Sequence, residues 1–93
     1  MNFAWSRAKA AANEGKHGVS FHEAATVFGD ALSLTAFDPD HSDDEERFIT
    51  MGMPTAGRLL VVVHADRSDR IRIISARDTT RRERKDYEDG HFP

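Results

Sequence analysis

The segment Arg72-Ile73-Ile74-Ser75-Ala76-Arg77-Asp78-Thr79-Thr80-Arg81-Arg82-Glu83-Arg84 sets an apolar, strand-forming run directly before a helix start crowded with guanidinium groups. A guanidinium offers planar, paired N–H donors and keeps its charge near neutrality, so such a junction suits phosphate. The whole chain carries a formal charge of -3, yet most of its Lys and Arg fall between Arg67 and Lys85. That asymmetry is compatible with polyanion binding despite the acidic total.

The elements that must position these groups follow from caps, turns and alternation. Asn2 to Trp5 reads as a short edge strand or an aromatic anchor, and Ser6 caps a first helix over Arg7 to Lys16 that Gly18 stops. Ser20 and Glu23 have capping-box spacing, with Val19 placed to staple onto Ala24, which predicts a second helix from Phe21 to Phe28. Ala31 to Phe37 alternates like a half-buried strand, and Asp38 to Glu46 is an acidic loop. Three further strands are expected over Arg47 to Met53, Arg58 to Ala65 and Ile71 to Ala76, then a helix from about Asp78 to Asp89 that buries little. The order predicts an α+β fold: an antiparallel sheet meander with two N-terminal helices and a C-terminal helix. At 93 residues the expectation is one domain over residues 1–93, burying roughly 60–65% of its unfolded surface. The absence of cysteine removes disulfides and thiolate metal sites. With no signal-like or membrane-spanning run, a cytoplasmic protein without membrane contact is expected.

Treating both hairpin turns as loops of even length pairs Met53 with Arg58 and Asp66 with Ile71. Pleat parity then assigns Phe48, Leu59, Val61, Val63 and Ile74 to a core side under the helices. Arg47, Arg58, His64, Ser75 and Arg77 fall on the opposite side, as a candidate phosphodiester site. The arrangement requires Arg58 and Arg77 on one side of the sheet.

The block Lys16-His17-Gly18-Val19-Ser20-Phe21 with Glu23-Ala24, then Glu46-Arg47-Phe48, Gly57-Arg58-Leu59 and Ile71 to Arg77 with Glu83 and Tyr87, resembles the BrnT toxins over nearly the whole chain. The resemblance implies a type II toxin with a RelE-like fold and metal-independent endoribonuclease activity that stops translation and growth, with no cofactor. It also implies a BrnA-like ribbon-helix-helix antitoxin partner, two toxins per antitoxin dimer, and contact with operator DNA only through that antitoxin. The family's functional positions map onto Lys16, His17, Glu46, Arg47, Arg58 and the stretch from Arg72 to Arg77. Asp78 and Thr79 depart from the basic residue and Ala that follow the Ser-Ala-Arg triplet in many members.

RNA is cut without metal when the 2′-hydroxyl attacks its own phosphate, which needs a base, a proton donor and cations around the dianionic intermediate. Arg77 is the first candidate for charge stabilisation, with Arg58 or Arg47 as a second clamp; each has a structural alternative, pairing with a carboxylate. His64 or His17 suits proton exchange near neutrality, and Glu46 suits a base or a salt-bridge partner. Lys16 and His17 also complement a helix C-terminus. Arg72, Arg81 and Arg82 are candidates for RNA phosphate contacts; the alternative for Arg72 is pairing with the acidic loop, and for Arg81 and Arg82 a solvated helix face or an antitoxin contact. Asp38, Asp40 and Ser42 match the first EF-hand positions, but Asp43 fills the glycine slot and Ile49 the closing Glu slot, so no metal site is expected. The alternative function is a non-catalytic module that docks a protein or nucleic acid on the same basic face.

Overall fold

A computed structural model describes residues 1–41 and 45–91. Part of the acidic loop, including the EF-hand position Ser42, lies outside the described residues. The chain forms β1 (Asn2–Ala4), α1 (Arg7–His17), α2 (Phe21–Ala25) continued by a 3-10 turn (Thr26–Gly29), β2 (Leu34–Phe37), a second 3-10 turn (Pro39–His41), β3 (Phe48–Gly52), β4 (Leu60–Arg67), β5 (Arg70–Asp78) and α3 (Arg81–Asp89). The sheet order is β1-β5-β4-β3-β2. β2 to β5 make the expected antiparallel meander, while β1 pairs in parallel with β5, so the sheet is mixed rather than purely antiparallel.

The local signals act as their chemistry requires. The Ser6 hydroxyl accepts from the Lys9 amide, and Gly18 ends α1 with a left-handed φ of 69° that a side chain would resist. The Ser20 hydroxyl accepts from the Glu23 amide, but the Glu23 carboxylate turns away from the cap to hold Arg58. β5 runs on to Asp78, so the last helix begins later than the sequence implies, capped by Thr80 in a reciprocal box with Glu83.

Leu60 and Val62 of β4 and Ile73 and Ala76 of β5 pack under Val19, Phe21, Ala24 and Val27. Each large apolar side chain fully buried here contributes roughly 1.5–3 kcal/mol. The opposite face carries a smaller cluster of Met51, Leu59 and Val61, on which Tyr87 of α3 rests. Asp30 ties α3 to the sheet: its carboxylate accepts from the Tyr87 hydroxyl at 2.6 Å and the Met53 amide at 2.8 Å.

The helices therefore cover the face that the assumed pairing left open. β3 and β4 pair Gly52 with Leu60 and Phe48 with His64, one position away from the even-loop register. β4 and β5 do pair Asp66 with Ile71 near the turn, but a bulge at Val63/His64 shifts the rest, so Arg77 faces Val61 instead of Leu60. One extra residue on a strand reverses every side chain beyond it.

Candidate functional site: a basic groove along β5

β1 ends beside Arg72, which leaves the later half of β5 without a strand neighbour on that edge. Asn13 of α1 fills the gap. Its side-chain oxygen accepts from the Ala76 amide at 3.1 Å, while its amide nitrogen donates to the Ala76 carbonyl at 2.9 Å and to the Val19 carbonyl at 3.0 Å. A buried primary amide thus supplies the donor and acceptor that a strand would have offered. The consequence is that α1 lies along β5, and Lys9, Asn13, Lys16 and His17, at helical spacing, share the side nearest Ser75.

Two cavities meet at Ile74 and Ser75. One, of 240 Å³, is lined by Lys9, Asn13, Lys16 and His17. The other, of 290 Å³, lies on the sheet face away from α1 and α2 and is lined by Arg47, Arg77 and Asp38 over a floor that includes Val61 and Val63. Ser75 opposite Val63 and Arg77 opposite Val61 point to this face by register. The two cavities, both lined by Ile74 and Ser75, are together called the β5 groove, with Lys16 and His17 lining one part and Arg47 and Arg77 the other.

Arg77 is not bare. Its guanidinium donates two hydrogen bonds to Glu83, at 2.8 and 2.9 Å. This bidentate pair holds the Glu83 carboxyl down at about 2 and raises the Arg77 pKa. Lys9, Lys16, Arg81 and Arg82, by contrast, have no carboxylate within ion-pair distance among the described residues.

The other sequence candidates lie elsewhere. Arg58 is on the α2 side of the sheet, where Glu23 holds it, with Asp78 3.6 Å away and the Gly18 carbonyl accepting from it; the Glu23 hydrogen bond chiefly raises its pKa. Arg58 and Arg77 are therefore on different sides, which corrects the single-face site. His64 is also on the helix side and is 2% exposed. Its ring lies 2.7 Å from the Asp66 carboxylate through Nδ1 and 2.7 Å from the Thr50 hydroxyl through Nε2, against the edge of Phe28. Burial, opposed by Asp66, pushes its pKa down, so the neutral ring donates from Nδ1 to Asp66 and accepts from Thr50. Glu46 lines a third cavity with Glu45, Asp66 and Arg67. Arg72 and Arg67 both pair with Glu45.

Two features of this region escaped the sequence reading: Lys9, and the pairing of Glu83 with Arg77. Lys9 was readable in principle, since it sits seven positions before Lys16 on the same helix face. Glu83, as the partner of Arg77, was not, because the pairing depends on where α3 begins.

A small α+β protein with a basic groove suited to polyanions is the class these features define. The chain belongs to the family described as ribonuclease toxin, BrnT, of type II toxin-antitoxin systems, whose model matches residues 5–83. It is similar in fold to the crystal structure of the Brucella abortus ribonuclease toxin, BrnT, with a TM-score of 0.64 and 19% identity, covering 87% of this chain and 99% of that one. No curated protein matches the chain. As the toxin of a type II system it has an antitoxin partner. No helix among the described residues is long and apolar enough to cross a membrane.

Proposed function

We propose that this chain is a single-domain, metal-independent endoribonuclease whose substrate lies in the β5 groove. The observation that carries the reading is the meeting, at Ser75, of one cavity lined by Arg47 and Arg77 with another lined by Lys9, Lys16 and His17. Successive phosphates of a single strand find cations at both ends of this groove, and the apolar floor of Val61, Val63 and Ile74 suits a base. The 2′-hydroxyl attacks the adjacent phosphorus as its proton leaves, and the P–O5′ bond breaks as the 5′-oxygen takes up a proton. The products are a 2′,3′-cyclic phosphate and a free 5′-hydroxyl. Arg77 and Arg47 stabilise the extra negative charge. His17, half-buried at the end of α1, is the proton-exchanging group in reach of the groove, with Lys16 beside it. Arg81 and Arg82 extend the phosphate track onto α3. Arg58, His64 and Glu46, which lie away from the groove, act in support of the fold in this reading.

Arg77 has to exchange its Glu83 partner for phosphate when RNA binds, and a bidentate carboxylate is a fair stand-in for that phosphate's two oxygens. The same pairing favours the second reading, a binding module that does not cut, because a catalyst is better served by a free cation. Incubating the purified protein with RNA in excess EDTA separates the two. Cleavage that disappears in Arg77→Ala supports the nuclease, whereas intact RNA with retained binding supports the module.

Family membership supports the rest of the reading: a RelE-like fold, action in the cytoplasm through arrest of translation and growth, and neutralisation by a BrnA-like ribbon-helix-helix antitoxin. Two toxins are held per antitoxin dimer, and operator DNA is reached only through that dimer. Growth arrest on expression, relieved by the product of the neighbouring reading frame, checks this, and light scattering of the complex checks the stoichiometry.

A further inference from the structure

The two edges of the sheet are finished differently. On one side, β1 is three residues long and Asn13 seals the β5 backbone beyond it. On the other, β2 ends the sheet, and no strand among the described residues pairs with its outer edge. Natural edge strands are usually blunted by a charge, a proline or a bulge. Ala31-Leu32-Ser33-Leu34-Thr35-Ala36-Phe37 has none of these, in a chain whose residues are 31% charged. Leu32 is 71% exposed and Phe37 49%.

The outward backbone groups can be identified. The Asp38 amide donates to the Arg47 carbonyl at 2.8 Å, so residues 38, 36 and 34 direct their backbone groups to β3. By antiparallel alternation, Thr35 and Phe37 direct theirs outward. The 2.8 Å contact between the Thr35 and Thr50 hydroxyls agrees, since side chains approach more closely at pairs that are not hydrogen-bonded to each other.

Charge selects the occupant. A cavity of 380 Å³ at the start of β2 is lined by Leu32 and Leu34 together with Tyr87, Glu88 and Asp89 of α3, and exposed Asp40 follows the other end of the strand. If a second copy paired its own β2 here in antiparallel fashion, Asp40 of one chain would meet Glu88 and Asp89 of the other at both ends. A parallel pairing would set like acids side by side. Self-association is opposed either way, whereas an extended segment with uncharged centre and basic ends is favoured.

We infer that the β2 edge is a docking site for an extended segment of the antitoxin, bound backbone to backbone at Thr35 and Phe37, with Lys or Arg at its ends against Asp40 and Glu88. The inference rests on the toxin-antitoxin reading, and its site is separate from the β5 groove.

The test uses the full chain and the purified antitoxin encoded by the neighbouring reading frame. Hydrogen exchange at the Thr35 and Phe37 amides should slow at least tenfold in the complex. Asp40→Lys with Glu88→Lys should weaken antitoxin binding at least tenfold by calorimetry and leave RNA cleavage by the free toxin unchanged. Thr35→Pro, which removes one outward N–H, should weaken binding similarly; if that variant does not fold, the charge reversal alone decides. Unchanged affinity in the charge-reversed protein, or unprotected β2 amides, overturns the inference. Concentration-dependent dimerisation of the free toxin through β2 in sedimentation would make a second copy the occupant and overturn it too. Absence of RNA cleavage with the expected loss of antitoxin affinity would overturn the nuclease reading alone.

Discussion

His64 and Arg77 sit on neighbouring strands of one sheet and were both candidates for chemistry, but the two faces have made opposite uses of them. On the helix side, His64 is sealed among Phe28, Phe48, Thr50 and Asp66, both ring nitrogens satisfied and its charge suppressed by burial. On the other side, Arg77 stays charged at the rim of a cavity and is half-neutralised by a carboxylate on a helix that buries nothing fully. A buried network of this kind fixes a unique packing, because every member would be costly to leave unpaired. A cavity-edge ion pair can exchange its carboxylate for another anion, because an incoming phosphate replaces the hydrogen bonds given up. The lesson is that polarity on a strand says nothing about use until the face is known.

The sharpest way to break this contrast is to remove each group in turn. Arg77→Ala should lower the rate of RNA cleavage by about 10²- to 10³-fold, the usual cost of losing one donor to developing charge, while thermal stability falls only by what the part-exposed pair with Glu83 contributes. His64→Ala should do the reverse. It leaves a void and strips partners from Thr50 and Asp66, so denaturant titration should show a loss of about 2–4 kcal/mol, with cleavage per folded molecule unchanged. A large rate loss in folded His64→Ala would return that residue to the chemistry.

Acid sharpens the comparison further. Because the folded pKa of His64 lies below its ordinary value of 6.5, the unfolded chain binds the proton first. Its contribution to stability is complete above about pH 6.5 and falls away as pH drops through that value towards the lowered folded pKa. Stability measured between pH 7 and 5 should therefore decline, and should decline less in His64→Ala. The Glu83 carboxyl, with its pKa at about 2, acts on a separate and more acidic window. Its stabilisation is present above its ordinary value of 4.5 and lost as pH falls from there towards 2.

The smallest effect belongs to the unpaired cations. Lys9→Ala with Lys16→Ala should weaken RNA binding several-fold and reduce the slope of log affinity against log salt by about 1.4, two single-strand phosphate contacts at roughly 0.7 each. An unchanged slope would place the RNA away from α1.

What could be read from the chain was mostly local. The Ser6 and Ser20 caps, the Gly18 stop, the edge strand at the N-terminus and the strand meander from β2 to β5 were all legible, because each depends on a few adjacent residues. The family was legible from the blocks around Lys16-His17 and Arg72 to Arg77, and the family match bears it out. The faces were not. Leu59 to Val63 is apolar at every position, so alternation gives β4 no preferred side, and the choice passed to two turns whose lengths the sequence does not state. The loop between β3 and β4 holds seven residues, Met53 to Leu59, rather than four, and a bulge in β4–β5 adds a second shift.

By itself, then, the sequence determined the element types, their order, the concentration of arginine around β5 and the toxin family, since these follow from short-range propensity and from motif identity. Only the tertiary structure decided that His64 is buried, that Arg58 and Arg77 part company, that Glu83 is the partner of Arg77 and that Lys9 joins the groove. Each of those depends on which residues distant in the chain lie opposite one another, and a pleat with a period of two turns a one-residue difference in register into an exchange of inside for outside.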